Sequence, residues 1–410
     1  MESNYSVCTI DKCTGCAACA NICNHNAIEM CYGEEGFLFP HIDKIKCVDC
    51  GLCKITCPAN NPVSLYKEPI GVYSGWSKDD NVRMRSASGG AFAEIASFFI
   101  KHYNAVVFGV AMNQNLDAVH VSIEKIEDLY RLQGSKYIQS HIGDAYRQTL
   151  YFLQRGRFVL FSGTPCQIGG LRKFLKKDYE TLFTIDLICH GVPSKRIFID
   201  YIKYIEGKLG HRVRDIKFRE KKCSWIFFNI AVNEQAGISN KNIYEYEGGY
   251  FEDPFIRAFL RDNILRPSCY QCQYTKTKRT ADYTLADWWG YAGNSRMDKD
   301  FEQKGVSLIF CNTHKSFSLI KNMNILLRQR TLTEALETNK SLQYPFVMPS
   351  TRKEFWSDYS VLNFSQIVDK WFYCEKLLPS TYIKYKYRPS MMRKILLKFA
   401  HLYEKCQKLI

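Results

Sequence analysis

Cys13, Cys16, Cys19 and Cys23 stand in C-x2-C-x2-C-x3-C order, and Cys47, Cys50, Cys53 and Cys57 repeat it, with Pro58 following. The same spacing twice in a short stretch is an internal repeat. In such a segment the chain path is set by what the thiols bind. Three thiolates two residues apart wrap a tight loop around three corners of one inorganic centre. The fourth opens the following turn and reaches a different centre. The chain holds eighteen cysteines in all. The start, Met-Glu-Ser-Asn-Tyr-Ser-Val-Cys, shows no basic n-region and no apolar h-region, so a cytoplasmic chain is expected. Thiols kept reduced there ask for metal rather than disulfides.

The spacing resembles that of the bacterial two-cluster ferredoxins, which hold two [4Fe–4S] clusters. On that pattern cluster one takes Cys13, Cys16, Cys19 and Cys57, and cluster two takes Cys47, Cys50, Cys53 and Cys23. Zinc is the competing reading, but zinc sites pair two C-x2-C units across a gap. Asn24 stands where the pattern favours Pro, which loosens a turn without removing a ligand. Cys8 and Cys31 fall outside the repeat and are expected to be small buried residues.

The remaining chain is long enough for further domains, since 410 residues exceed one ordinary core. Four segments are expected: a two-cluster module over 1–62, core parts over 68–155 and 156–325, and an extension over 326–410. The fold class expected is mixed, α+β with α/β: a ferredoxin-like βαβ module, an α/β flavoprotein core and a helical basic tail. Charge is uneven. The net charge of +15 favours acidic partners, yet residues 1–62 are net acidic and 384–410 strongly basic. No run of 18 apolar residues suggests a membrane span.

Beyond Pro62 the pattern changes. Gly71–Trp76 reads as a strand. Ser86-Ala-Ser-Gly-Gly90 then opens an apolar helix over 91–100, whose free N–H groups could take a phosphate or serve as a plain N-cap. Ala105–Ala111 and His120–Ile123 read as strands, and a helix is expected near 142–155. Strand–turn–helix follows twice, at Arg157–Leu175 and Thr181–Ile205. Two such units in succession predict an α/β layer with ligands at the C-terminal edge of the strands. Cys166 and Cys189 fall on equivalent loops there and are expected to face each other. Ile216–Glu220 and Trp225–Val232 read as further strands.

Cys269 and Cys272 add one more C-x2-C. With Cys166 and Cys189 they make a loop-borne set of four, read as a third [4Fe–4S] site. The alternative is two structural cysteines and a zinc half-site.

Five segments and a closing element run in order: Ser86-Ala-Ser-Gly-Gly90, Gln133-Gly-Ser-Lys-Tyr137, Phe161-Ser-Gly-Thr-Pro-Cys-Gln-Ile168, Asp186-Leu-Ile-Cys-His-Gly-Val-Pro193, Cys269-x2-Cys272 and Asp282-x4-Asp287-Trp-Trp-Gly290. This series resembles the beta-subunit family of coenzyme F-420 hydrogenases and dehydrogenases over roughly residues 1–320. The resemblance implies a noncovalent FAD beside the third cluster. Ser86, Ser88, Gly89, Gly90, Gly134, Ser135, Lys136, Gly163, Thr164 and Pro165 would lie around the flavin and its phosphates. Lys136 would meet the ring or a phosphate, or be an ordinary surface lysine; His190 would donate a proton or cap a helix. The deazaflavin F-420 is the implied substrate, though Ser224-Trp225 and Ala286-Asp287 depart from the family pattern. Relatives in surface-polysaccharide pathways suggest other small organic acceptors.

The combination predicts an oxidoreductase joining a one-electron carrier to a two-electron small-molecule substrate. A redox protein or ferredoxin-type donor is the expected partner. The competing class is a non-catalytic iron–sulfur relay protein within a larger complex. The chain shows no recognised nucleic-acid motif. Its tail over 384–410 reads as an amphipathic helix that packs on its own core, on a partner or on an anionic membrane surface.

Overall fold

The computed structural model describes residues 6–66, 68–221, 225–226, 228–235, 243–289 and 304–372. The basic tail over 384–410, Ser224 and Gly290 lie outside them.

The cysteine repeat is visible in the backbone. Helix α1 (Ala18–Ile22) and helix α2 (Leu52–Thr56) are single turns, each entered through a left-handed residue: Ala17 at φ 58° and Gly51 at φ 72°. Each ends on the fourth cysteine of its quartet, Cys23 or Cys57, in extended conformation. The third cysteine thus sits inside a helical turn and the fourth leaves it.

Strands β1 (Ile28–Tyr32) and β2 (Leu38–Ile42) between these helices form an antiparallel hairpin. The module therefore runs α1–β1–β2–α2, not βαβ. A parallel βαβ unit needs a crossover of a dozen or more residues. Residues 33–37 allow only a tight turn, closed by Gly33 N donating to Phe37 O at 2.9 Å, with Gly36 at φ 77°.

The chain then builds one eight-stranded mixed sheet. Its strands are β3 (Gly71–Ser77), β4 (Val106–Met112), β5 (Ala118–Ile123), β6 (Val159–Ser162), β7 (Leu182–Leu187), β11 (Tyr283–Asp287), β12 (Ser307–Cys311) and β13 (Ile325–Gln329), in the order β13-β3-β12-β11-β7-β6-β4-β5. The centre, β4, β6, β7 and β11, is parallel. These strands read as near-continuous apolar runs because both faces are covered. Helix α4 (Ala91–Tyr103) and helix α9 (His314–Ile320) pack on one face around Phe99, Phe183 and Tyr283. Helix α5 (Ala145–Gln154) and helix α6 (Pro165–Leu175) pack on the other, around Tyr146, Phe161 and Leu171. Cys16, Ala17 and Ala18 join that second core, so the cysteine module is built into it. Arg147 on α5 fastens the join, donating to Asn21 O at 2.7 Å and Cys23 O at 2.6 Å. A cation on the last carbonyls of a helix is favourable. Strands on either side of residue 155 share the sheet, since β4 pairs with β6.

A second core forms around helix α7 (Lys195–Leu209), helix α8 (Pro254–Leu260) and a three-stranded antiparallel sheet of β8 (Ile216–Glu220), β9 (Asn229–Gln235) and β10 (Ile243–Gly249). The strand expected over Trp225–Val232 starts four residues later. Trp225 instead stacks on Trp289, rings 5.3 Å apart and 9° from parallel.

Candidate functional site

Two pockets divide the eight module cysteines by crossing the quartets. The first, of about 330 Å³, is lined by Cys13, Cys16, Cys19 and Cys57. The second, of about 560 Å³, is lined by Cys23, Cys47, Cys50 and Cys53. The fourth cysteine of each repeat has gone to the other repeat's pocket, because each leaves its helix in extended conformation.

Their environments differ. Cys13, Cys16, Cys19 and Cys57 are buried, whereas Cys50 is exposed and Ile45, Val48 and Ile55 stand open to solvent around the second pocket. Burial pushes the Cys16 thiol up to about 12 and Cys19 well above its ordinary range. Hydrogen bonding from Cys8 pulls Cys13 down to about 6 and Cys57 to about 7. Cys8, expected to be a simple buried filler, is therefore a wall of the first pocket. Crowded thiols become anions readily only beside a cation, and iron supplies one. The donor sets fit iron–sulfur clusters in both pockets.

The other four cysteines stand near enough to act on one another electrostatically. Cys166 stands in the first turn of α6, and Cys189 two residues past β7, on adjacent parallel strands. Cys269 and Cys272 lie on and just beyond a 3-10 turn over Pro267–Gln271. Burial, with a smaller contribution from the charge of Cys166, pushes Cys269 to about 12 and Cys272 to about 11. Cys189 is raised by burial and by all three others. Four thiols are the donor set that a [4Fe–4S] cluster would take.

This third group touches the module. Cys16 and Cys166 act on each other electrostatically, and a Cβ on Gly170 of α6 would stand 3.0 Å from Cys16 Sγ. The Cys269 turn reaches back as well: Gln271 Nε2 donates to Asp11 O at 2.9 Å, and Gln273 Nε2 to Pro58 O at 3.2 Å.

The loops named for a flavin fare unevenly. Ser86 Oγ donates to Val82 O at 2.8 Å and Ser88 Oγ to Val306 O at 2.9 Å, so both hydroxyls turn inward. Gly89 packs where a Cβ would meet Gly75 O at 2.5 Å. Gly90 is the left-handed N-cap of α4. What the Ser86–Gly90 loop offers an anion is the first-turn N–H row of α4. The Gly163–Pro165 turn offers less than expected. Gly163 N donates to Ile185 O and Thr164 N to Gln167 Oε1, and Pro165 has no N–H. A capping box consumes those donors. The turn presents Cys166 rather than a phosphate cradle.

Gly134 has φ 80° and open space where a Cβ would be. Ser135 and Lys136 follow it. Lys136 Nζ donates to Gln133 O at 2.7 Å and Arg131 O at 3.3 Å, and burial pulls its ammonium down to about 7. The residue as a whole is half-buried. His190 caps no helix. Its Nε2 lies 2.6 Å from Asp262 Oδ1, and its ring packs on Phe346 and Phe259.

Sequence reasoning missed a cluster at the C-terminal end of β11. Arg219 pairs with Asp287 at 2.5 Å, and Trp225 Nε1 donates to Asp287 Oδ1 at 2.9 Å. Lys221, 2% exposed, donates to Arg83 O, Ser88 O and Lys304 O. It ties the Ser86–Gly90 loop to β8. Tyr137 joins the cluster through Arg219. The Asp287-Trp-Trp run and Trp225 were the sequence signals that fall here.

Residues 156–334 match the family described as the C terminus of the coenzyme F420 hydrogenase/dehydrogenase beta subunit. Residues 12–61 match the 4Fe-4S dicluster domain. A chain from a structure of the F420-reducing [NiFe] hydrogenase complex of Methanosarcina barkeri is similar at 15% identity, over 67% of this chain and 91% of that one, with a TM-score of 0.43. No curated protein matches. No described helix is long and apolar enough to cross a membrane.

Proposed function

We propose that this chain, which joins a 4Fe-4S dicluster domain to the C-terminal part of the F420 hydrogenase/dehydrogenase beta-subunit family, is an iron–sulfur flavoprotein. In this reading it passes electrons between an external one-electron carrier and a two-electron substrate, a deazaflavin or another small organic acceptor. Cys23, Cys47, Cys50 and Cys53 hold the outer cluster, where the exposed apolar rim meets a redox partner. Cys13, Cys16, Cys19 and Cys57 hold the inner one. Cys166, Cys189, Cys269 and Cys272 hold the third. One observation supports the reading most: Cys16 of the first pocket packs against Gly170 of α6, one helical turn from Cys166, so the module and the third thiol group share a border at the C-terminal edge of the parallel strands.

A bound FAD supplies the exchange between one-electron and two-electron chemistry. The residues that support a flavin are Lys136, the first-turn N–H groups of α4 and the indole of Trp289, 38% exposed beside Arg219. Anaerobic purification with iron, sulfide and flavin analysis tests the reading. About twelve irons and one FAD per chain are expected. About eight irons without flavin would leave a passive relay.

Lys136 yields a pH prediction. Its ammonium is pulled down to about 7 by burial, so it is protonated below that pH and neutral above. If it holds the substrate-side proton, the rate falls as pH rises through about 7. Lys136→Met should abolish that limb and lower the rate about 10²-fold at pH 6. A stopped-flow pH series reads it; an unchanged limb would remove Lys136 from the chemistry.

A further inference from the structure

We propose that Arg266 is an electrostatic bridge whose positive charge holds up the reduction potentials of the first-pocket cluster and the third cluster together. The inference rests on the cluster reading above.

Arg266 is 1% exposed. Its Nε donates to Cys13 O at 2.6 Å, Nη2 to Leu38 O at 2.9 Å and Nη1 to Gln139 Oε1 at 3.1 Å. Every one of these acceptors is neutral. The guanidinium also lies over the Phe39 ring, 4.4 Å from its centroid. A buried charge is costly unless an opposite charge lies near. The groups its charge reaches are cysteine sulfurs that would be thiolates as iron ligands: Cys13 of the first pocket, and Cys166 and Cys269 of the third group.

The backbone fixes the same residue between the two sites. Arg266 N donates to Val192 O at 2.9 Å, in the loop after Cys189. Cys269 N donates to Arg266 O at 2.9 Å. One residue thus joins the first-pocket loop, the Cys189 loop and the Cys269 turn. Gly15 makes room for it: a Cβ there would stand 2.9 Å from Nη1 and 2.2 Å from Gln139 Nε2.

A cluster gains negative charge when reduced. A fixed cation beside it, in a poorly screened interior, favours the reduced form. A cation shared by two neighbouring clusters raises both potentials together. Among the described residues the second pocket has no Arg266 contact, and it serves as the internal control.

The test is an EPR-monitored redox titration of the anaerobically purified full chain, with iron counted in each preparation. Arg266→Gln removes the charge. Gln139→Glu neutralises it with the guanidinium still in place, which keeps the test open if Arg266→Gln fails to load iron. Both should shift the reduction equilibria of the first and third clusters at least tenfold toward the oxidised form, 59 mV per tenfold for one electron. The second cluster should stay put, and Arg266→Lys, which keeps the charge, should leave most of the original potentials in place. Full iron content with unmoved potentials in both charge-removing variants overturns the proposal, as does an equal shift in all three clusters. Eight irons in the unmodified protein would instead remove the third cluster, and the bridge with it; iron content tells that failure from the other.

Discussion

Cys57→Ala will remove the cluster of the first pocket and spare that of the second, although Cys57 belongs to the second quartet in sequence. The crossing follows from the backbone: α2 ends on Cys57 in extended conformation, and the side chain lines the pocket of Cys13, Cys16 and Cys19. Loss of one thiolate leaves a cubane with three protein ligands in a buried site, and about four irons per chain should go with it. Double substitutions make the assignment sharp. Cys57→Ala with Cys16→Ala should cost no more iron than either alone, because both act on one centre. Cys57→Ala with Cys50→Ala should cost about eight irons, because they act on two. Iron analysis and EPR of the reduced protein read both outcomes. If the Cys57–Cys50 pair proved no worse than the single variants, the quartets would be uncrossed.

That crossing was expected from the resemblance of the spacing to the two-cluster ferredoxins, and the pocket linings divide the cysteines the same way. The central parallel strands were legible too. Val106–Met112, Val159–Ser162 and Leu182–Leu187 are apolar runs bounded by turn residues, and runs of that kind announce a sheet covered on both faces. The βαβ expectation for the module failed on loop length, because five residues at 33–37 close a hairpin. The direction of the Ser86 and Ser88 hydroxyls was not legible, for a different reason. A Ser/Gly segment before a helix reads alike whether its hydroxyls face a ligand or, as with Ser86 and Ser88, the neighbouring backbone. Arg266 and Arg219 were invisible because their roles lie in long-range partners: Arg266 sits 253 residues from Cys13 in the chain. Periodicity reports local faces and carries no record of such pairs.

The other large effect concerns Asp186, which the sequence series included only as the start of Asp186-Leu-Ile-Cys189. Its side chain is fully buried at the end of β7. It accepts from Thr284 Oγ1 at 2.6 Å and Thr280 Oγ1 at 3.3 Å, and it pairs with Arg279 at 3.3 Å. Arg279 in turn donates to Tyr274 O at 2.9 Å and Leu187 O at 2.8 Å. The pair therefore pins the segment after Cys272 against the strand that leads to Cys189. Asp186→Ala leaves a guanidinium, 2% exposed as a residue, without its counter-charge. Removing one partner of a buried pair costs about 3–5 kcal/mol, which lowers Tm by on the order of 10 °C. Asp186→Asn keeps an acceptor for the two threonines and should lose less. The functional consequence is selective. With Arg279 unanchored, Cys272 and Cys189 no longer share a fixed separation, so about four irons should be lost while the two module clusters stay. Calorimetry beside iron analysis distinguishes this from general unfolding: a lower Tm with all iron retained would show that the Asp186–Arg279 pair stabilises the sheet without positioning the third thiol group.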